Sequence, residues 1–335
     1  MTDIKILSIC IPTFNRANYL DRLLTSISAN AQLDKCSICI SDNDSSDNTA
    51  EVVRKWQLNS CLHINYSQNK YNIGADRNYF KAVNMASTRF CWLMGSDDLI
   101  DPNALSFLIP VLYQFDIAIV QARPLDQQLN NSTVNSYPPA LKQDQYSDLS
   151  IYTISSHSDA INYFNSCQNL VGVFSYISSI IFNKEKVKFD IDEALDGSLY
   201  SHVKPLVSEI LNQNCIIGYI SRPLAINQRG NDSFLQNWAQ RALVDFSGYY
   251  RVCQYLELHD DIKESFLSIL NREHPPLATF YIFSFTSLWS YQSDIALLQY
   301  MSMVPNRIFV IDVLMYMMAF PVRFAYSIYK LFFHS

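Results

Sequence analysis

The chain has 335 residues, a formal net charge of −6 and only 17% charged residues. That length buries a full core in one large domain with an appendage, or in two modest domains, and the acidic balance argues against a nucleic-acid-binding protein. Aromatic residues reach 13%, which suits carbohydrate surfaces, a membrane interface or a large apolar core equally well.

Ile6 to Ile11 is a short apolar run closed by Pro12-Thr13 and predicts a buried first strand. Asn18 with Asp21 predicts a capping box, and Leu20, Leu23, Leu24 and Ile27 form one helical stripe. Cys36 to Ile40 predicts a second strand, followed at once by the polar run Ser41-Asp42-Asn43-Asp44-Ser45-Ser46-Asp47. Asn48 and Glu51 are expected to cap the next helix. A brief strand at His63 to Tyr66, a polar loop around Gly74 and a helix through Phe80 and Val83 follow.

The stretch Arg89 to Pro102 carries the most chemistry. Its apolar run Phe90 to Met94 stops at Gly95-Ser96-Asp97-Asp98, and Asp101-Pro102 reads as the cap and first turn of a helix reaching Tyr113. A strand ending in paired acids puts them at its C-terminal edge, where open α/β sheets hold ligands. Two adjacent carboxylates in a wet crevice repel each other unless a cation sits between them. A solvated acidic turn is the competing reading.

With a strand at Ile117 to Val120, strand and helix alternate over the first 120 residues. That pattern predicts an α/β fold with a mostly parallel sheet between helices, and Asp42, Asp76, Asp97 and Asp98 on one edge. No G-x-G-x-x-G follows the first strand and no G-x-x-x-x-G-K-[ST] occurs, which disfavours dinucleotide and P-loop enzymes.

Residues 121–152 are polar and read as a long loop. Beyond them come a helix at Ser156 to Phe164, a helix-turn-strand at Val171 to Phe182, a helix at Val203 to Leu211 and a strand at Cys215 to Ile220. The polar turn Arg229-Gly230-Asn231-Asp232-Ser233 precedes helices at Phe234 to about Leu256, Ile262 to Leu270 and Leu277 to Leu298. The tail Ile308 to Phe333 is apolar but interrupted by Asp312, Pro321 and Arg323, so it reads as lying in a membrane surface rather than crossing it. Packing on the core, or contact in a homodimer, is the alternative. The eight cysteines are scattered, Cys36-x-x-Cys39 lacks the companion pair of a zinc site, and no signal peptide opens the chain. Reduced thiols in the cytoplasm are the expectation.

Four motifs in order, Ile9-Cys10-Ile11-Pro12-Thr13-Phe14-Asn15-Arg16, Ile40-Ser41-Asp42-Asn43-Asp44, Asn72-Ile73-Gly74 and Gly95-Ser96-Asp97-Asp98, resemble the nucleotide-binding half of family 2 glycosyltransferases. Gly172 to Ser179 and Arg229 to Phe234 resemble the subgroup of O-antigen abequosyltransferases. The resemblance implies a GT-A fold, with a catalytic domain at 1–230 (nucleotide-sugar half 1–120, acceptor half 121–230) and a helical region at 231–335. It further implies a metal-dependent enzyme that moves a sugar, in that subgroup a 3,6-dideoxyhexose such as abequose. The donor would be a nucleotide-diphosphate sugar and the acceptor a polyprenyl-diphosphate-linked oligosaccharide, in surface-polysaccharide assembly at the cytoplasmic face of a bacterial inner membrane.

The same resemblance assigns roles. Asp42 would hold the nucleotide base, with Pro12, Thr13, Asn15, Arg16 and Asn43 around it. Asp76 and Arg77 would reach base or phosphate, a plain surface pair being the alternative. Asp98 would ligate Mg²⁺ or Mn²⁺, with Asp97 assisting or meeting the ribose, and Arg229 would clamp phosphate unless it is an ordinary surface arginine. The Glu-Asp pair that supplies the base in many relatives is missing from the second half, where His202 stands in the corresponding region and Asp196 and Asp232 compete with it. A nucleotidyltransferase of similar fold and a non-catalytic carbohydrate-binding protein are the competing functions.

Overall fold

The computed structural model describes residues 4–59, 61–125, 139–141, 147–190, 193, 195–228, 238–284 and 291–333. Its first half runs β1 (Leu7–Thr13), α1 (Ala17–Ser28), β2 (Cys36–Asp42), α2 (Thr49–Asn59), β3 (Ile64–Gln68), α3 (Ala75–Asn84), β4 (Phe90–Leu93), β5 (Asp98–Ile100), α4 (Ala104–Val111) and β6 (Ile117–Pro124). Then come β7 (Leu149–Ile154), α5 (His157–Ser166), β8 (Ile180–Asn183), α6 (Val203–Leu211) and β9 (Cys215–Asn227). The C-terminal helices are α7 (Trp238–Tyr255), α8 (Asp260–Glu273), α9 (Thr279–Ser284), α10 (Tyr291–Ser302) and α11 (Phe309–Phe333).

One sheet organises these elements, in the order β3-β2-β1-β4-β8-β6-β9-β5 with β7 also on β9. Strands β3, β2, β1 and β4 are parallel, as the alternation predicts. Beyond β4 the sheet is mixed rather than mostly parallel: β8 runs antiparallel to both β4 and β6, and β9 is parallel to β6 but antiparallel to β5 and β7. Every residue of β1, β2 and β4 is buried, which explains why these strands read as near-continuous apolar runs. On one face the α1 stripe Leu20, Leu23, Leu24 and Ile27 is fully buried, each side chain worth roughly 1.5–3 kcal/mol.

Two local expectations fail for identifiable reasons. The predicted capping box at Asn18 and Asp21 lies inside α1, whose first backbone N–H (Ala17) is instead taken by Asp47 Oδ2 at 2.9 Å. Asp47 also accepts from the Thr49 backbone N–H at 3.1 Å, so one carboxylate serves two helix starts. The polar run after Gln121 is not all loop, because β6 continues to Pro124 and β7 begins at Leu149.

The C-terminal helices share a continuous apolar cluster with the other sheet face, from Cys10 and Leu93 through Phe164 and Phe266 to Ala319. Helix α11 is inside out. Asp312 and Arg323 are buried with Ala319, whereas Val310, Leu314, Met317, Met318 and Phe320 are each more than half exposed. Among the described residues no helix is long and apolar enough to cross a membrane.

Candidate active site

The parallel register sets Thr13 beside Asp42 at the C-terminal ends of β1 and β2, and β4 delivers Gly95-Ser96-Asp97-Asp98 to the same edge. There the chain turns into β5, where Asp98 is register partner to Asn227 of β9. A cavity of about 220 Å³ opens on this edge, lined among others by Arg16, Asp97, Asp98, Tyr176, His202 and Arg241.

Asp98 is the most constrained group in the cavity. It is 4% exposed. Its carboxylate accepts from the Ser178 hydroxyl and, at 3.3 Å, from the Asn227 amide. Burial, reinforced by the charge of Asp97, pushes its carboxyl up to about 7. Asp97 is half-buried and paired with Arg16 Nη1 at 2.8 Å. The two carboxylates converge over Gly95: a Cβ built there would lie 3.0 Å from Asp97 Oδ1 and 3.1 Å from Asp98 Oδ2. A cradle that only glycine leaves open, rimmed by hard oxygen atoms and holding a carboxylate reluctant to ionise alone, fits a divalent cation.

His202 lines the same cavity, at the start of α6, and is buried. Its Nε2–H donates to the Phe174 carbonyl at 2.8 Å, which places the ring proton there. Nδ1 is then a buried acceptor with no hydrogen-bond partner among the described residues. Burial pushes the imidazole pKa down and keeps the ring neutral. Tyr79 packs edge-on against it at 5.9 Å.

Of the residues singled out from the sequence, Pro12, Arg16, Asp97, Asp98 and His202 line the cavity. Thr13, next to Pro12, is outside the lining, with Oγ1 buried and without a partner among the described residues. Asp42 is buried and engaged, accepting from Tyr66 Oη at 2.7 Å and the Ser45 backbone N–H at 2.9 Å. Asn15 and Asn43 brace loops: Asn15 Oδ1 accepts from Ser46 N–H, and Asn43 Oδ1 from Ile73 N–H.

Asp76, Arg77 and Asp196 stand outside the cavity lining, and their partners explain why. Asp76 is buried and accepts from Leu199 N–H at 3.0 Å and Ser201 Oγ at 2.7 Å. Arg77 Nε donates to Asp196 Oδ2 at 2.7 Å. Thus α3 clamps the segment 196–202 that carries His202. Arg229 and Asp232 lie outside the described residues. Ser178, Tyr200, Asn227 and Arg241, to which the sequence reading gave no role, are brought to the cavity or its acids by the 3-10 turn before β8, the turn before α6, the end of β9 and helix α7. A second set of ligand-type side chains, His157, His259 and Asp261, offers three ligand atoms within 4.8 Å of one another at the starts of α5 and α8. None of the three lines the cavity.

A half-parallel sheet whose strand ends gather Thr13, Asp42 and a convergent acid pair, closed by a mixed second half, is the architecture of a nucleotide-sugar-dependent glycosyltransferase of the GT-A kind. Residues 8–174 match the family model for glycosyl transferase family 2. Abequosyltransferase RfbV of Salmonella typhimurium is 34% identical over 279 residues, covering 82% of each chain. A GalNAc(5)-diNAcBac-PP-undecaprenol beta-1,3-glucosyltransferase of Campylobacter jejuni is 32% identical over 103 residues, covering 31% of this chain and 33% of its own. Among solved structures, S. aureus TarS 1-349 in complex with UDP-GlcNAc superimposes with a TM-score of 0.62 at 16% identity, covering 96% of this chain and 89% of that one. The Pyrobaculum calidifontis mannosyltransferase PcManGT, in complex with GDP-Man and Mn2+, gives 0.53 at 14% identity, covering 98% and 88%. The chain belongs to glycosyl transferase family 2. It transfers a sugar from a nucleotide donor to a glycoconjugate acceptor.

Proposed function

We infer that the donor is a nucleotide-diphosphate sugar held over Asp97 and Asp98, that the acceptor is a polyprenyl-diphosphate-linked oligosaccharide, and that His202 is the base. The observation that carries this reading is the cavity shared by the convergent acid pair and a neutral His202, whose Nδ1 has no hydrogen-bond partner among the described residues. Asp98, with Asp97, would hold Mg²⁺ or Mn²⁺, which when bound supplies positive charge to the departing nucleoside diphosphate. Thr13 and Asp42 are register partners at neighbouring strand ends, which supports a nucleoside held at that edge. Arg16, fixed by Asp97, adds a guanidinium on the phosphate side.

His202 Nδ1 takes the proton of the acceptor hydroxyl as its oxygen bonds to the sugar C1 and the C1–O bond to the diphosphate breaks. Its Nε2–H bond to Phe174 fixes the tautomer that this step needs. A 3,6-dideoxyhexose such as abequose is the proposed sugar on the strength of the Salmonella relative, with surface-polysaccharide assembly as the setting. The exposed apolar face of α11, on a helix whose Asp312 and Arg323 turn inward, supports docking on the cytoplasmic face of a bacterial membrane, where a lipid-linked acceptor is met.

The test is a mass-spectrometric transfer assay pairing CDP-, GDP- and UDP-sugars with synthetic lipid-linked acceptors and Mn²⁺. One donor should yield an acceptor heavier by a single sugar residue. Tight glycan binding without turnover on any pair would favour a binding protein, and nucleotide transfer would favour a nucleotidyltransferase.

A further inference from the structure

Besides Arg16, α7 brings a second guanidinium, that of Arg241, into the cavity. Arg241 stands one turn before Asp245, and its Nε lies 3.2 Å from that carboxylate. Asp245 is 1% exposed and takes a hydrogen bond from the Tyr200 hydroxyl and another, at 2.8 Å, from His274 Nε2. Burial opposes its ionisation, yet the bond from His274 and the charge of Arg241 hold it below the usual carboxylate range. Arg241 is thus anchored by its Nε, with Nη2 a further 3.4 Å from the Tyr200 hydroxyl. Helix α7 can come this close only because Gly248 faces Tyr200: a Cβ there would sit 2.3 Å from the ring.

The anchor continues away from the cavity. The His274 carbonyl accepts from Arg307 Nη1 at 2.6 Å, and Arg307 grips Asp312 of α11 through two bonds of 2.7 Å, with both side chains fully buried. A buried polar chain therefore ties Arg241 to the helix whose outer face is apolar. A guanidinium held by its Nε is preorganised to receive a phosphate fork, and a solvent-facing cation alone would need no such support.

We propose that Arg241, braced by Asp245, His274, Arg307 and Asp312, is a phosphate subsite that takes the diphosphate of the lipid-linked acceptor. This deepens the functional reading above and rests on it. The donor diphosphate belongs to the Asp97, Asp98 and Arg16 side of the cavity. Arg241 stands on the α7 wall, which is joined to the helix that meets the lipid surface.

The experiment compares steady-state transfer to one synthetic oligosaccharide carried either on a short polyprenyl diphosphate or on a neutral alkyl chain. In Arg241→Gln, KM for the diphosphate-linked acceptor should rise about 10- to 100-fold, erasing the wild-type preference over the alkyl-linked one, with donor KM moving less than threefold. Arg241→Lys should recover part of the preference. A preserved preference in Arg241→Gln, or a rise confined to donor KM, overturns the proposal. Because the wild type is assayed in parallel, its failure to transfer to any acceptor would instead sink the functional reading. Circular dichroism and melting of each variant exclude loss of fold as the cause.

Discussion

Asp76 and Ser201 lie 125 residues apart in the chain, yet the Ser201 hydroxyl donates to Asp76 Oδ1 at 2.7 Å. With the Leu199 N–H on its other oxygen, Asp76 pins the turn that presents His202. Helix α3, early in the chain, therefore sets the geometry of the segment that carries His202. Asp76→Ala leaves one buried and one part-buried donor unpaired, so a stability loss of about 1–3 kcal/mol is expected. Turnover should fall with little change in donor KM, as read by melting together with kinetics.

Gly95→Ala places a methyl where Asp97 and Asp98 converge, 3.0 and 3.1 Å from their oxygens. One carboxylate has to move. Mn²⁺ affinity, measured by calorimetry, should drop at least tenfold while the fold persists. Undiminished affinity would remove the acid pair from the metal site.

His202→Gln keeps a hydrogen-bonding side chain but no base, and should lower turnover by about 10²–10⁴ with donor affinity nearly unchanged. Since burial lowers the pKa of His202, its ring takes up a proton at a lower pH than a free histidine, which protonates near 6.5. At saturating Mn²⁺ the acid limb of kcat should therefore fall below pH 6.5. For the same reason the folded state resists a proton that the unfolded chain accepts, so this residue's contribution to stability declines as pH drops through the unfolded value.

The acid platform was legible in the sequence because parallel strands buried on both faces read as apolar runs, and their polar ends mark the ligand edge. Helix α1 was legible from its stripe. Strand β5 was not: it starts on Asp98 itself and exists only by pairing with β9, far along the chain. Strand β9 looked finished at Ile220, yet irregular register with β6 around Gln121 lets it pass Pro223 and reach Asn227. Asp76 and Arg77 carry the right residue types for nucleotide contact, and only the fold reveals that their partners are Ser201, Leu199 and Asp196. Arg241 looked like one more polar position on a helix. Its meaning comes from Tyr200, Asp245 and His274, which no local pattern connects.

Removing the whole tail is a poor test of membrane docking, because it strips out the buried Arg307–Asp312 pair. Changing the outer face alone is cleaner. Leu314→Glu combined with Met317→Glu, at positions 51% and 65% exposed, should leave the melting temperature within a few degrees. Sedimentation with anionic liposomes should drop at least tenfold. Unchanged sedimentation would argue that this face meets another protein surface.

The central claim, that sugar transfer runs on the Asp98 platform, is tested most directly by following mass-spectrometric product formation in wild type and Asp98→Asn while titrating Mn²⁺ at pH 6, 7 and 8. Proton and cation compete for a carboxyl raised to about 7, so the Mn²⁺ needed by wild type should rise about twofold from pH 8 to 7 and about fivefold from pH 7 to 6, with the rate restored at saturation. Asp98→Asn should lose at least a hundredfold in turnover at every pH and regain nothing at high Mn²⁺. Wild-type turnover in Asp98→Asn, or a Mn²⁺ requirement that ignores pH, would contradict the account.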